Sequence, residues 1–214
     1  MEWLSPYLGE HEEFVFDYLV VNDGSFDNTR KICRDNGYRF LDLPINTGLT
    51  SGFRAGMKYA YSHGYDYVIQ FDADGQHDPQ YLLPMAQSAL AEQADIVIGS
   101  RFVNAKKKLT MRMIGSNFLA AMINVTAHQK IADPTSGMRL YGRKLIERFA
   151  KDDEYSPEPD TVAFAIRQGA KVVEVPVTMA ERFGGTSYLS AAKSAMYMMR
   201  MGLSILFFQW VRKA

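Results

Sequence analysis

Two aspartates one residue apart, Asp72-Ala73-Asp74, followed by Gln76 and His77, are the residues in this 214-residue chain best suited to chemistry. They stand where the apolar run 67–71 gives way to a glycine-containing turn, so the two carboxylates can converge once the chain leaves the pleat. Such a pair suits Mg²⁺ or Mn²⁺, which take oxygen ligands and share them with substrate phosphates; Gln76 could add an amide oxygen. The competing explanation is a turn that selects Asp and Gly for its own geometry. Asp23 follows a second apolar run and either accepts hydrogen bonds from a base or ribose or closes an Asx-turn. Arg101 follows Gly99-Ser100, and Arg139 follows Ser136-Gly137-Met138. Each could grip phosphate oxygens with its bidentate fork or form a surface ion pair. Arg182 precedes Gly184-Gly185, a pair of glycines able to act as hinges. His63, His77 and His128 have no metal-ligand spacing with Cys33 and read as turn or surface residues, His77 excepted. The nucleophile elbow, P-loop and zincin motifs do not occur.

The elements that must position these residues alternate. Residues 18–21, 38–43, 67–71 and 96–99 are short apolar strands, and 28–36, 48–63 and 81–92 have helical character. Asp27 suits the N-terminal cap of the first helix and Gly37 its end. Short non-alternating strands separated by helices predict a mostly parallel α/β sheet covered on both faces, with ligands beyond the carboxyl ends of its strands. Residues 110–125 read as a helix, 133–141 as a turn, 172–177 as a last strand and 190–213 as a long helix. No internal repeat or linker interrupts the chain, so one domain over 1–214 is expected.

Composition narrows the function. With 24 Lys+Arg against 24 Asp+Glu there is no net charge and no general basic surface for nucleic acid. A single cysteine fits a reducing compartment, and no signal peptide is visible, so the expected location is the cytoplasm or the cytoplasmic face of a membrane. The C-terminal segment carries Met196, Met198, Met199, Met201 and the run Leu203 to Trp210, bracketed by Arg200, Arg212 and Lys213. It is either an interfacial membrane helix, helped by Lys106-Lys107-Lys108, or a core or dimer helix.

Together the stretches Val20 to Thr29, Asn46-Thr47-Gly48, Gln70 to Pro79, Ile98 to Phe102, Asp133 to Arg139 and Arg182 to Ser187 resemble the family 2 inverting glycosyltransferases of GT-A fold. The polyprenyl-phosphate sugar synthase branch is the most similar. The resemblance implies a hexosyltransferase of cell-envelope glycan synthesis, moving sugar from a nucleotide-diphospho-sugar to a polyprenyl-phosphate or glycan acceptor. It assigns Asp23 to the nucleotide, and Asp72, Asp74 and Gln76 to a Mg²⁺ or Mn²⁺ ion, with Asp74 counted as catalytic. Arg101 and Arg139 would neutralise phosphates, and Arg182 and Ser187 would close over the donor. A lipid-phosphate acceptor needs no general base; a hydroxyl does, and Glu158 and Asp160 are the candidates, unless they only complement a helix dipole. Family members begin with an apolar strand ending in a Pro-x-Tyr-Asn-Glu-like segment, whereas residues 1–16 here read as the tail of the first helix. The first strand is therefore expected to be missing, leaving sheet edges that favour a homo-oligomer. The alternative function is a non-catalytic sugar-nucleotide-binding or interaction protein.

Overall fold

A computed structural model describes residues 3–103, 111–152, 155–180 and 191–207. In chain order the elements are β1 (Gly9–His11), β2 (Phe14–Phe16), β3 (Val20–Asn22), α1 (Thr29–Asp35), β4 (Phe40–Asp42), α2 (Leu49–Ser62), β5 (Tyr67–Gln70), α3 (Leu82–Ala91), β6 (Ile96–Ser100), α4 (Met111–Ala127), β7 (Arg139–Gly142), α5 (Arg143–Lys151), α6 (Pro159–Arg167), β8 (Val172–Pro176) and α7 (Ala191–Leu206). They fall into two compact units, Met1–Val68 with Tyr141–Pro157, and Ile69–Leu140 with Glu158–Ala214.

In the first unit the segment read as the tail of a helix is a 3₁₀ turn, Ser5–Tyr7, followed by an antiparallel hairpin in which Gly9 pairs with Phe16 and His11 with Phe14. Pro6 near the start of that turn suits its first positions, and the chain reverses at Glu12, whose φ is 52°. β3 and β4 pair in parallel, Val20 with Phe40 and Asn22 with Asp42. The buried Asn22 amide donates to Asp42 at 2.8 Å, tying the two strand ends together. Asp27 accepts the Thr29 N–H at 2.9 Å, but the N-terminal cap of α1 is Asn28, one residue later than expected. Between α2 and β3 the glycines matter: a Cβ on Gly56 would already touch Val21 at 3.5 Å. The apolar face of α5, Leu145, Ile146 and Phe149, is buried, and Phe53 of α2 meets Tyr141 and Phe149 edge-on at 5.4 and 4.8 Å. Each such side chain contributes about 1.5–3 kcal/mol of burial.

A four-stranded sheet has the order β5-β7-β6-β8, with β6 and β8 wholly in the second unit. β6 is buried at all five positions and pairs in parallel with β8, Ile96 opposite Val172 and Ser100 opposite Pro176. Two expectations change here. Arg139–Gly142 is a fully buried strand, although 133–141 reads as a turn, because Gly137 and Pro134 mask the start of a short apolar run. The apolar run 67–71 suggests a buried, central strand, but β5, which carries the Asp72 turn, is half-buried and stands at the end of this strand order. Beyond the sheet α3 buries Leu82, Met85, Ala86 and Ala89. α4 and α7 pack through two glycines: a Cβ on Gly115 would lie 2.7 Å from Met198 and one on Gly202 2.9 Å from Phe118. Among the described residues no helix is long and apolar enough to cross a membrane.

Candidate active site

Just beyond β5 the chain turns back on itself, and His77 is the pin of that turn. The residue is 4% exposed, and Nδ1 accepts the Asp72 N–H at 2.9 Å. Burial pushes the imidazole pKa down, and Arg101 adds to this, against the opposite pull of Asp72 and Asp74. With Nδ1 accepting, the neutral ring carries its proton on Nε2, 3.9 Å from Asp72 Oδ2. Asp74 Oδ1 accepts the Gln76 N–H at 3.0 Å and Gly75 takes φ 81°, so Asp74 makes the tight turn. Asp72 leaves 44% of its side chain exposed. A Cβ on Gly137 would sit 3.1 Å from Asp72 Oδ2, so glycine at that position keeps the space beside this oxygen clear. The turn reading describes Asp74, whose carboxylate shapes the loop, while Asp72 stays open to solvent. Among the described residues no three His, Cys, Asp or Glu side chains form a metal cage. Two carboxylates and an amide oxygen fit a hard divalent cation that takes its remaining ligands from a substrate.

The two arginines converge on one loop, residues 132–138. Arg101 leaves β6 and forks onto Asp133, with Nε and Nη2 each 2.7 Å from a carboxylate oxygen and its own N–H at 3.1 Å. Nη2 also reaches Thr135 at 3.3 Å. Asp133 is wholly buried, so this is no exposed surface pair. Glu174 of β8 accepts the Ala132 and Asp133 N–H groups at 2.7 and 2.9 Å. Ser136 Oγ donates to Gly99 O at 2.6 Å, and Arg139, 2% exposed, donates to Pro134 O at 2.8 Å.

Glu158 and Asp160, the candidate bases, are engaged by α7. The Tyr197 hydroxyl donates to Glu158. Burial pushes the Glu158 carboxyl pKa up, with Tyr197 and Arg139 pulling the other way, and burial beside Glu158 pushes the Tyr197 hydroxyl far above its usual range. Asp160, buried, accepts from Thr161 N–H at 2.8 Å and Ser204 Oγ at 2.6 Å. In the first unit Asp23 Oδ1 accepts the Thr47 N–H at 3.2 Å, while the Asx-type contact to Ser25 N–H comes from Asn22. Gly24, at φ 59°, lies so close to Asn46 that a Cβ would be 2.4 Å from its nitrogen. Arg182, Ser187 and Lys106 to Lys108 lie outside the described residues.

The model of the family described as glycosyl transferase family 2 matches residues 10–149. The chain belongs to glycosyltransferase family 2. Its similar relatives include a polyprenol monophosphomannose synthase of Mycolicibacterium smegmatis, 30% identical over 81% of this chain and 70% of the relative. An undecaprenyl-phosphate mannosyltransferase of Micrococcus luteus is 30% identical over 81% of this chain and 76% of its own length. Glucosyl-3-phosphoglycerate synthase from Mycobacterium tuberculosis shares the fold, with TM-score 0.61 and 15% identity over 89% of this chain and 69% of that one. The expected GT-A α/β fold and transferase class both hold.

In this glycosyltransferase four residues that reach the site escaped the sequence reading: Asp133, Glu174, Tyr197 and Ser204. Glu174 carried a usable signal, a lone acid inside the apolar strand Val-Val-Glu-Val. A charge there must find partners or stay in water. Tyr197 and Ser204 carried none, because their roles depend on how α7 meets α6.

Proposed function

We propose that this glycosyltransferase moves a sugar from a nucleotide-diphospho-sugar to a polyprenyl-type lipid phosphate in a single inverting displacement. The observation that carries this reading is the half-open Asp72 carboxylate, its N–H held by His77 in a turn closed between Asp74 and Gln76, in the same unit as the fixed Arg101 cation. Asp72, Asp74 and Gln76 would hold Mg²⁺ or Mn²⁺, which supplies positive charge for the departing diphosphate. The resemblance to solved structures extends to a glucosyl-3-phosphoglycerate synthase complex holding Mn²⁺ and uridine diphosphate, with TM-score 0.55 and 15% identity. In this reading Arg101, with Arg139 behind it, faces phosphate charge, Asp23 holds the nucleotide, and Arg182 and Ser187 close over the donor. A lipid phosphate is anionic at neutral pH and attacks without a base, which agrees with Glu158 and Asp160 being engaged by α7. A glycan hydroxyl would need one of them released.

The two relatives named above act on lipid phosphates by name, and an apolar surface supports the same acceptor here. Ile114 and Phe118 on α4, and Met196, Met199 and Leu203 on α7, are all about half or more exposed. On this reading α4 and α7 rest on a membrane surface at its cytoplasmic face, and residues 1–214 act as one domain. The test is transfer from GDP-mannose and UDP-glucose to undecaprenyl phosphate in detergent, with Mn²⁺ and with EDTA. A lipid-linked sugar formed only with metal supports the reading. Failure of both donors to bind in a metal-dependent way would overturn it.

A further inference from the structure

Among the described residues Glu174 forms no hydrogen bond to the Asp72 turn or to Arg101, yet it holds the loop on which Arg101 depends. Its Oε2 accepts the Ala132 N–H at 2.7 Å and its Oε1 the Asp133 N–H at 2.9 Å. Two successive N–H groups are thus closed by one carboxylate, an arrangement that needs two acceptor oxygens. The second of them belongs to Asp133, whose side chain takes the Nε and Nη2 edge of Arg101. Among the described residues, the Nη1 group is the part of that guanidinium for which no hydrogen bond is found. It is the part left to meet a ligand, because the fork fixes the plane and direction of the whole group.

We propose that Glu174 is a positioning residue for Arg101: by cradling the Ala132 and Asp133 N–H groups it sets the Asp133 fork, and so the direction in which Arg101 offers Nη1 to a phosphate. This rests on the phosphate role given to Arg101 above. The phosphate is that of the donor diphosphate or of the lipid acceptor; the chemistry of recognition is the same. Glutamine at this position has nearly the shape of glutamate but one acceptor oxygen, and its amide would face an N–H group with another N–H.

The experiment titrates the full chain with Mn²⁺-pyrophosphate and, separately, with undecaprenyl phosphate in detergent micelles, followed by calorimetry. Glu174→Gln should weaken whichever of the two Arg101 binds by about tenfold, the size expected when a charge-assisted hydrogen bond is misdirected. Arg101→Lys should weaken the same ligand at least as much, and the double variant no more than Arg101→Lys alone. The Arg101 Nε–H resonance in a ¹H–¹⁵N spectrum should move in Glu174→Gln, which a merely structural role would not require. Wild-type affinity with an unmoved resonance would overturn the proposal, as would a fall in Tm with both affinities intact. If Arg101→Lys binds both ligands normally, the phosphate role of Arg101 fails instead, and the resonance still decides whether Glu174 positions it. Should Glu174→Gln not fold, Glu174→Asp, which keeps two oxygens but withdraws them by one methylene, carries the same expectations.

Discussion

Asp72 and Asp133 are the same residue type on two neighbouring loops of one unit, and the protein uses them in opposite ways. Asp133 is wholly buried and accepts three bonds from Arg101, its own backbone held by Glu174. The Asp72 side chain is 44% exposed, and 3.9 Å from it lies an imidazole whose pKa burial pushes down. A carboxylate closed by a guanidinium fixes a loop; one beside a neutral imidazole keeps its charge available for a ligand. Asp160 and Glu174 belong with Asp133, since their oxygens are already taken by N–H and O–H donors. The difference between these groups separates the acids that hold shape from the one proposed to meet a ligand.

The largest effects should fall on this pair. Asp72→Asn removes a proposed metal ligand from a half-exposed position, so turnover should fall about a hundredfold or more while Tm stays close to wild type. Asp133→Asn does the reverse first: it leaves the Arg101 cation without its partner carboxylate and should cost about 3 kcal/mol of stability. In a chain of this size that is roughly 10 °C in Tm. Thermal unfolding and metal-dependent turnover measured on both variants separate the two loops. If Asp72→Asn unfolds like Asp133→Asn, the division between them is wrong.

How much of this could be read beforehand follows the same line. The strands 18–21, 67–71 and 96–99 and the helices between them show in the sequence because apolar period and turn residues mark them locally. The acidic pair shows because two carboxylates at the end of an apolar run are uncommon. Residues 1–16 misled, since Pro6 and scattered acids fit a helix tail as well as the hairpin they form. Arg101 was visible as a cation at a strand end, but its partner lies 32 residues away, and nothing local joins them. Asp133 resembled a turn aspartate for the same reason. Glu158 and Asp160 were legible as acids opening α6, while their partners Tyr197 and Ser204 come 39 and 44 residues later. Contacts between distant segments are set by packing, and a single sequence does not display them.

The intermediate case sharpens the comparison through pH. Burial raises the folded-state pKa of Glu158 above the ordinary glutamate value. The folded state then holds that proton more tightly than the unfolded chain does. Stability from this group is complete below the ordinary value and is lost as pH rises through the raised one. Glu158→Gln keeps an oxygen for Tyr197 but removes the titration. Its Tm relative to wild type should therefore improve as pH rises from the ordinary glutamate value through the raised one, and then level off. A constant difference across that range would mean that Glu158 is as well solvated as an open carboxylate, and would place it with Asp72.

The smallest effect should come from Ser204→Ala, which takes away one of the donors to buried Asp160 and leaves the Thr161 N–H in place. The lost hydrogen bond should cost about 1 kcal/mol, a shift of a few degrees in Tm for a chain of this size. Asp160 is tied to α7 through Ser204, so the loss should be felt where α7 meets α6 and not at the Asp72 turn. Mn²⁺ titration should accordingly match wild type. A weakened metal response would show that the carboxylates fixed by α7 also shape the open one, and that the two groups of acids act as a single unit.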